Sequence, residues 1–325
     1  MERVAVATHG HCFDGMCSAA VFTRLLEHLH GPGKLAFTYK AQGYGPGQNG
    51  VPPGALDGDI NAILDFRFTR APNLTWYFDH HVSAFPTPED RAAYEAMVGA
   101  APRRAHHDGA YGSCTKLIAD VAREVHGMDT APLAELIHWA DMIDRAAFPS
   151  AEMAVSRAEP VLHLMTVVEH GGDDAFLQRM VPRILAEGVE AVAKGDDVRG
   201  AYEPLAAQHG AFIDLVKAHA ETRGPVVLVD MSAVLVDVAA KFVTYALYPD
   251  STYSVMLTRS DSRCKLSIGY NPWSPHPRTH DIARICERHG GGGHPVVGAI
   301  SLGPERVDEA RALARAITEE LSGPA

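Results

Sequence analysis

Short apolar runs that end in polar, metal-capable residues recur through the first eighty positions. Val4-Ala5-Val6-Ala7-Thr8 predicts a buried strand, followed by the loop His9-Gly10-His11-Cys12-Phe13-Asp14-Gly15. From about Met16 to His30 the apolar positions Val21, Leu25, Leu26 and Leu29 lie along one helical face. Lys34 to Lys40 predicts a second strand, and Ile60 to Leu64 a third that ends at Asp65. Leu74-Thr75-Trp76-Tyr77-Phe78, aromatic and β-branched, predicts a fourth that ends at Asp79-His80-His81. Strands interleaved with helical patterns predict an α/β fold whose N-terminal, mostly parallel sheet is flanked by helices. In such sheets ligands bind beyond the carboxyl ends of the strands, where these polar residues fall.

Residues 41–58 are rich in glycine and proline and predict a loop near the substrate; no Walker lysine follows the glycines, so it is not a P-loop. A helix is expected from about Glu89 to Met97. Arg104 to Gly109, with His106 and His107, predicts a short strand and turn in preference to a substrate contact. A helix beginning near Ser113, with Ser113 and Thr115 as candidate caps, comes next. Ala131 to Arg145 predicts another, with His138, Asp141 and Asp144 at three-residue spacing on one face. Ala158 to Arg223 is helical in pattern, with breaks near Gly171-Gly172 and Gly195. The pattern changes after Gly224: strand 225–229, helix Val238 to Tyr248, a strand pair Tyr253 to Thr258 and Arg263 to Ile268, and helix Asp281 to Arg288. Four glycines, His294, a strand Val296 to Leu302 and a last helix Pro304 to Leu321 complete it. The expected organisation is an α/β domain over 1–195, a helical linker over 196–223 and a smaller α/β domain over 224–325.

Composition narrows the partners. The 325 residues carry 29 basic and 40 acidic side chains, a formal charge of −11, which disfavours a non-specific coat on long nucleic acid. It leaves room for a small phosphorylated substrate, because bound cations reverse the local field. Five cysteines, odd in number and without zinc-finger spacing, argue against a disulfide framework. No charged-apolar-small leader precedes the first strand and no apolar run approaches the roughly 20 residues of a spanning helix, so a cytoplasmic, non-membrane protein is expected.

The chemistry concentrates in a few places. Imidazole with carboxylate suits manganese, iron or zinc, so His9, His11 and Asp14 are candidate ligands, although an acid near a helix N-terminus is favourable without a metal. Asp141, on an apolar stretch, needs a partner; it is preferred as a ligand, with Asp144 in support and an Asp144–Arg145 ion pair as the ordinary alternative. Arg67 and Arg70 either neutralise phosphate or face solvent, and solvent is preferred for Arg70. The glycines at 290–293 fit a backbone anion nest better than a linker, with His294 as a phosphate or base contact.

Taken in order, these motifs resemble those of the DHH phosphoesterase family with its associated C-terminal domain, the group of nanoRNases, RecJ-type exonucleases and related oligonucleotide phosphodiesterases. His9 to Gly15 resembles the first motif, Asp65 the second, Asp79-His80-His81 the third, Asp141 the fourth, and Gly291-Gly292-Gly293-His294 the C-terminal signature. The resemblance implies two divalent metals, usually Mn2+, with Fe2+, Co2+ or Zn2+ as alternatives. It implies His9 on one metal, Asp14 on the other, Asp65 bridging both, and His80 and Asp141 completing the second site. His81 would contact the scissile phosphate, and Gly291, Gly292, Gly293 and His294 would hold the substrate. Metals about 3.5–4 Å apart acidify a water that attacks phosphorus in line. The implied activity is hydrolysis of short oligonucleotides or dinucleotides. A phosphomonoesterase or exopolyphosphatase, or a non-catalytic nucleotide-binding protein, is the alternative; the resemblance also allows a homodimer. Two departures stand out. Cys12 occupies the position of an acid in the first motif; either His11 or Cys12 could replace that ligand, with His11 preferred and Cys12 favouring softer metals. The C-terminal domain's usual substrate arginine is absent from Ser267 to Trp273, leaving Arg278 as the nearest substitute.

Overall fold

The computed structural model describes residues 1–43, 50–100, 104–236 and 242–324. In chain order the elements are β1 (Glu2–His9), α1 (Phe13–His30), β2 (Leu35–Gln42), β3 (Ile60–Leu64), β4 (Trp76–Asp79), α2 (Pro88–Ala100), β5 (Ala105–His107), α3 (Cys114–Glu124), α4 (Ala134–Asp144) and α5 (Ala151–Ser156). They continue with α6 (Pro160–Gly171), α7 (Asp174–Glu187), α8 (Val189–Ala193), α9 (Asp196–His219), β6 (Ala220–Arg223), β7 (Val226–Leu235), α10 (Val243–Leu247), β8 (Tyr253–Arg259), β9 (Cys264–Tyr270), α11 (Ile282–Glu287), β10 (Gly292–His294), β11 (Val297–Leu302) and α12 (Val307–Ser322). Two compact units result: Met1–Ala147 with Ala158–Glu203, and Phe148–Arg157 with Pro204–Ala325. The dividing point falls inside α9, at Pro204, and the stretch containing α5 belongs to the second unit.

In the first unit five parallel strands lie in the order β2-β1-β3-β4-β5. Every residue of β3 and β4 is buried, as expected for central strands covered on both faces. One face is packed by Val51, Leu56, Phe66 and Phe68 against Ile63 and Tyr77. On the other, Phe22 of α1 meets Trp76 and Phe78 edge-on, with ring centroids 5.7 and 6.2 Å away. Because all five strands run the same way, His9, Asp65, Asp79-His80-His81 and His107 collect at one edge of the sheet.

The second unit holds a mixed sheet in the order β10-β11-β9-β8-β7-β6, antiparallel except where β7 pairs with β8. Alternation along β7 divides its two cores. Val226 and Leu228 pack with Ile285 of α11 and Ile317 of α12. Val227, Val229 and Met231 pack with Val155 of α5, Phe212 and Val216 of α9 and Val243 of α10. Trp273 donates from Nε1 to Phe148 O at 2.8 Å and lies edge-on to Phe242.

Several expectations shift. The helix expected over Val238 to Tyr248 is Val243–Leu247, and residues 237–241 lie outside the described ones. So do residues 44–49 of the glycine-rich loop. The expected glycine nest is instead a short edge strand, because the amides and carbonyls of Gly292–His294 are drawn into a ladder with Val297–Ala299. Arg70 pairs with Asp90 at 2.9 Å. Among the described residues no helix is long and apolar enough to cross a membrane.

Candidate metal centre

Each side chain of the centre is aimed by a local device. β1 ends at His9, and the chain turns sharply through Gly10 and His11, whose amides donate to Gln42 O (2.7 Å) and Gly172 O (3.1 Å). His11 adopts a left-handed φ of 53°. Gly15, in the first turn of α1, lies so close to the strand end that an added Cβ would sit 2.1 Å from His9 O. Thr8 Oγ1 donates to Gly15 O at 2.7 Å and fastens that approach. Asp65, one residue beyond β3, is also left-handed (φ 53°), and its amide donates to Phe78 O at 2.9 Å. Such a conformation costs a non-glycine residue of order 1–3 kcal/mol and persists where its surroundings dictate it. Here it turns a fully buried carboxylate toward the histidines.

Asp79 is fully buried and accepts four hydrogen bonds: from His80 N (2.9 Å), His81 N (3.3 Å), His81 Nδ1 (2.7 Å) and Tyr77 Oη (3.1 Å). It therefore sets the backbone and one ring of the motif. His80 Nδ1 is 3.2 Å from Tyr111 O, so it carries the proton in that bond and presents Nε2 to the interior. That Nε2 lies 3.3 Å from Asp144 Oδ2, 3.5 Å from Asp65 Oδ1 and 3.9 Å from Asp14 Oδ2. His9 Nδ1 lies 3.5 Å from Asp65 Oδ2, and Cys12 Sγ lies 3.7 Å from the same oxygen. Asp14 is held by the first turn of α3: Cys114 N and Thr115 N donate to its two oxygens at 2.7 and 3.0 Å.

Three carboxylates thus meet in one place with two or three imidazoles. Burial pushes Asp14 well above the usual carboxylate range, and the charges of Asp65 and Asp144 add to the push. Burial and Asp65 together raise Asp144 to about 6. Burial would raise Asp65 as well, but His80, His9 and His81 outweigh it and hold it at about 2. Burial would lower His80, but Asp65, Asp14 and Asp144 carry it up to about 9. Asp79 raises His81. Asp65 Oδ1 and His80 Nε2 are buried without a hydrogen-bond partner, although each has the other within 3.5 Å. Polar atoms that converge at such separations without bonding one another fit ligands of a shared cation, which also relieves the excess negative charge.

Candidate ligand atoms form three sets, each within 4.8 Å: His9, Cys12 and Asp65; Asp65, His80 and His81; Asp14, His80 and Asp144. Asp65 and His80 each belong to two sets. His11 joins none of them; its side chain is exposed. Asp141 also stands outside: its Oδ1 accepts from Ser113 Oγ and its Oδ2 pairs with Arg145, each at 3.2 Å. Asp144, one turn onward, points to His80 instead, so the expected roles of the two acids are exchanged in the geometry. Cys12 was legible as a departure from the acid of the first motif, and Asp144 as the second acid on the α4 face; nothing in the sequence pattern marked Tyr111 O or the α3 amides.

In the second unit, Gly292 and His294 are exposed on edge strand β10. Gly291 and Gly293 lie so close to β11 that an added Cβ would meet Ala299 O at 2.3 Å and Val297 O at 2.2 Å. Arg278 Nη1 donates to His280 O (2.7 Å) and Pro295 O (3.1 Å), which holds the guanidinium beside the end of β10. In the first unit, Lys40, Gln42, Gly43, Gly50 and Thr69 line a cavity of about 660 Å³ at the carboxyl end of β2.

No protein-family model matches the sequence, and no curated protein does. Solved structures do match. The pGpG-specific phosphodiesterase PggH from Vibrio cholerae superposes with a TM-score of 0.68 at 16% identity, covering 100% of both chains. The DHH domain of a protein assigned to a family of ribosomal proteins superposes with a TM-score of 0.56 at 13% identity, covering 99% of this chain and 87% of that one. At such identities the likeness is one of fold: this chain shares its fold with the Vibrio cholerae enzyme and with a DHH domain.

Proposed function

We propose that the protein is a divalent-metal-dependent phosphodiesterase acting on linear dinucleotides or short oligonucleotides. The observation that carries this reading is the convergence of the Asp14, Asp65 and Asp144 carboxylates on His80 Nε2, with Asp65 Oδ1 and His80 Nε2 buried and without a hydrogen-bond partner. In this reading Asp65, shared between ligand sets, would serve two cations, one also held by His9 and the other by Asp14, His80 and Asp144. Bound cations there supply Lewis acidity to a phosphoryl group and acidify a water molecule at neutral pH. The chain's own residues do the rest. His81, whose Nδ1 is fixed on Asp79, keeps Nε2 available to hold a proton near the phosphoryl or leaving-group oxygen. Asp79 favours that protonated state and orients the ring. Gly291, Gly292, Gly293 and His294, with Arg278 beside them, are the proposed substrate contacts in the second unit.

The acidic surface favours short substrates over long polyanions. The structurally similar enzyme from Vibrio cholerae is named for pGpG, which makes pGpG the first substrate to try. The test is a panel of pGpG and other linear dinucleotides, short RNA and DNA, cyclic dinucleotides, nucleotide bisphosphates and polyphosphate. Assays begin with Mn2+ and run in parallel with Fe2+, Co2+ and Zn2+. Linear dinucleotides should be cleaved fastest and EDTA should stop the reaction. Preferential turnover of polyphosphate or nucleotide bisphosphates would replace the phosphodiesterase reading. No turnover with any cation would leave a binding protein.

A further inference from the structure

The first candidate ligand set differs in kind from the other two because it contains sulfur. Cys12 occupies the N-cap position of α1, with extended backbone angles of φ −134° and ψ 131°. A polar side chain there ordinarily turns back to bond an amide of the first helical turn. The Cys12 side chain forms no capping bond of normal geometry, although the backbone of Gly15 in that turn acts on the thiol. Its Sγ is directed instead at Asp65 Oδ2, 3.7 Å away, and lies in one group with His9 and Asp65. Its neighbour His11 does not compete for the place, since the left-handed turn, pinned by His11 N on Gly172 O, leaves the His11 side chain exposed. Gly172 is held close enough to this turn that an added Cβ would meet His11 N at 2.9 Å. The backbone thus presents Cys12, and not His11, to the buried carboxylate. Asp65 supplies the independent sign of a cation: its other oxygen is buried and unbonded.

We propose that Cys12 is a thiolate ligand of the cation shared by His9 and Asp65, giving one nitrogen–sulfur–oxygen position in an otherwise nitrogen–oxygen centre. This rests on the metal-centre reading above and adds the identity of one ligand and its consequence for metal choice. When the sulfur–metal bond forms, the S–H bond breaks and its proton passes to solvent. Thiolate is a soft donor, so this position favours zinc, ferrous iron and cobalt(II) over manganese and magnesium, which prefer oxygen. The other position, built from Asp14, His80 and Asp144, carries no sulfur and keeps the broader tolerance of a carboxylate–imidazole site.

Cobalt(II) titration of the full, metal-stripped chain tests the assignment without reference to activity. The unmodified protein should develop a near-ultraviolet sulfur-to-cobalt charge-transfer band together with the visible bands of bound cobalt. Cys12→Ser should lose the charge-transfer band and keep visible cobalt bands from the sulfur-free position. Cys12→Asp should reduce the ratio of Zn2+ to Mn2+ affinity by about 10-fold or more, the scale at which changes around a metal register. Bound cobalt without the charge-transfer band in the unmodified chain overturns the ligand assignment while leaving the metal centre intact. Persistence of the band in Cys12→Ser overturns it equally. No cobalt binding at all overturns the metal-centre reading along with it. Should the variants not fold, alkylation of the unmodified chain decides. Zn2+ should protect Cys12 from iodoacetamide relative to EDTA, read by peptide mass mapping, and equal labelling counts against the proposal.

Discussion

The two regions singled out by the sequence solve opposite physical problems. At the strand ends of the first unit, Asp14, Asp65 and Asp79 are all but fully buried, and each is fixed by backbone amides or imidazoles. Along β10 of the second unit, Gly292, Gly293 and His294 are exposed, and the useful groups are those of an edge strand. Concentrated charge needs rigid burial, because it is strong only where water is excluded and costly unless a cation balances it. A surface proposed to receive a substrate needs open backbone and little side chain. The first region should therefore be sensitive to the loss of single atoms, and the second to the addition of them.

The largest expected effect is from Asp65→Ala. Loss of a carboxylate shared by two ligand sets should lower metal-dependent turnover by at least about 10³-fold, several kcal/mol of metal-derived stabilisation. Metal binding followed by calorimetry should weaken in parallel, and unchanged turnover in a folded variant would break the assignment of the first region. Next in size is the pair Asp144→Asn and Asp141→Asn. The former should weaken metal binding by roughly 10–100-fold and the latter by little, since Asp141 is engaged with Ser113 and Arg145. The reverse ranking would return the ligand role to Asp141.

A pH dependence of metal-free stability comes third. His80 is held protonated up to about 9 against an ordinary value near 6.5. Its contribution is complete below about 6.5 and is lost as pH rises through 9, a change on the order of 1–3 kcal/mol. In EDTA the melting temperature should therefore fall between pH 6.5 and 9. A bound divalent cation, replacing that proton, should remove the fall. A flat profile in EDTA would mean that the carboxylates are not the partners that hold the His80 proton.

The smallest effect separates the two regions most cleanly. His294→Ala should raise KM for a dinucleotide by about 10-fold, on the order of 1 kcal/mol, and leave metal affinity unchanged. Loss of metal affinity in this variant would show that the exposed strand is not a substrate contact of its own.

Much of this was legible along the chain. Alternating apolar runs and loops fixed the parallel sheet of the first unit, because a buried parallel strand must be apolar throughout and must end where the polar residues begin. Asp65 and Asp79-His80-His81 stand at such ends, and His9 closes the first strand. Their collection at one edge of the sheet follows from strand direction alone.

What the sequence by itself determined was therefore the kind of site and its place in the fold. Tertiary structure decided which of several chemically suitable neighbours face inward. His11 and Cys12 are adjacent, and a single left-handed φ sends one to the surface and the other to Asp65. Asp141 and Asp144 share a helical face, but about 4.5 Å along the axis separates them, and the placement of α4 puts the second beside His80. The glycines after α11 became an edge strand because β11 offered unpaired backbone groups to them. Residue type and period are properties of the chain. Backbone angle at a turn, the placement of a helix and strand pairing are settled by packing, and these select the atoms that meet.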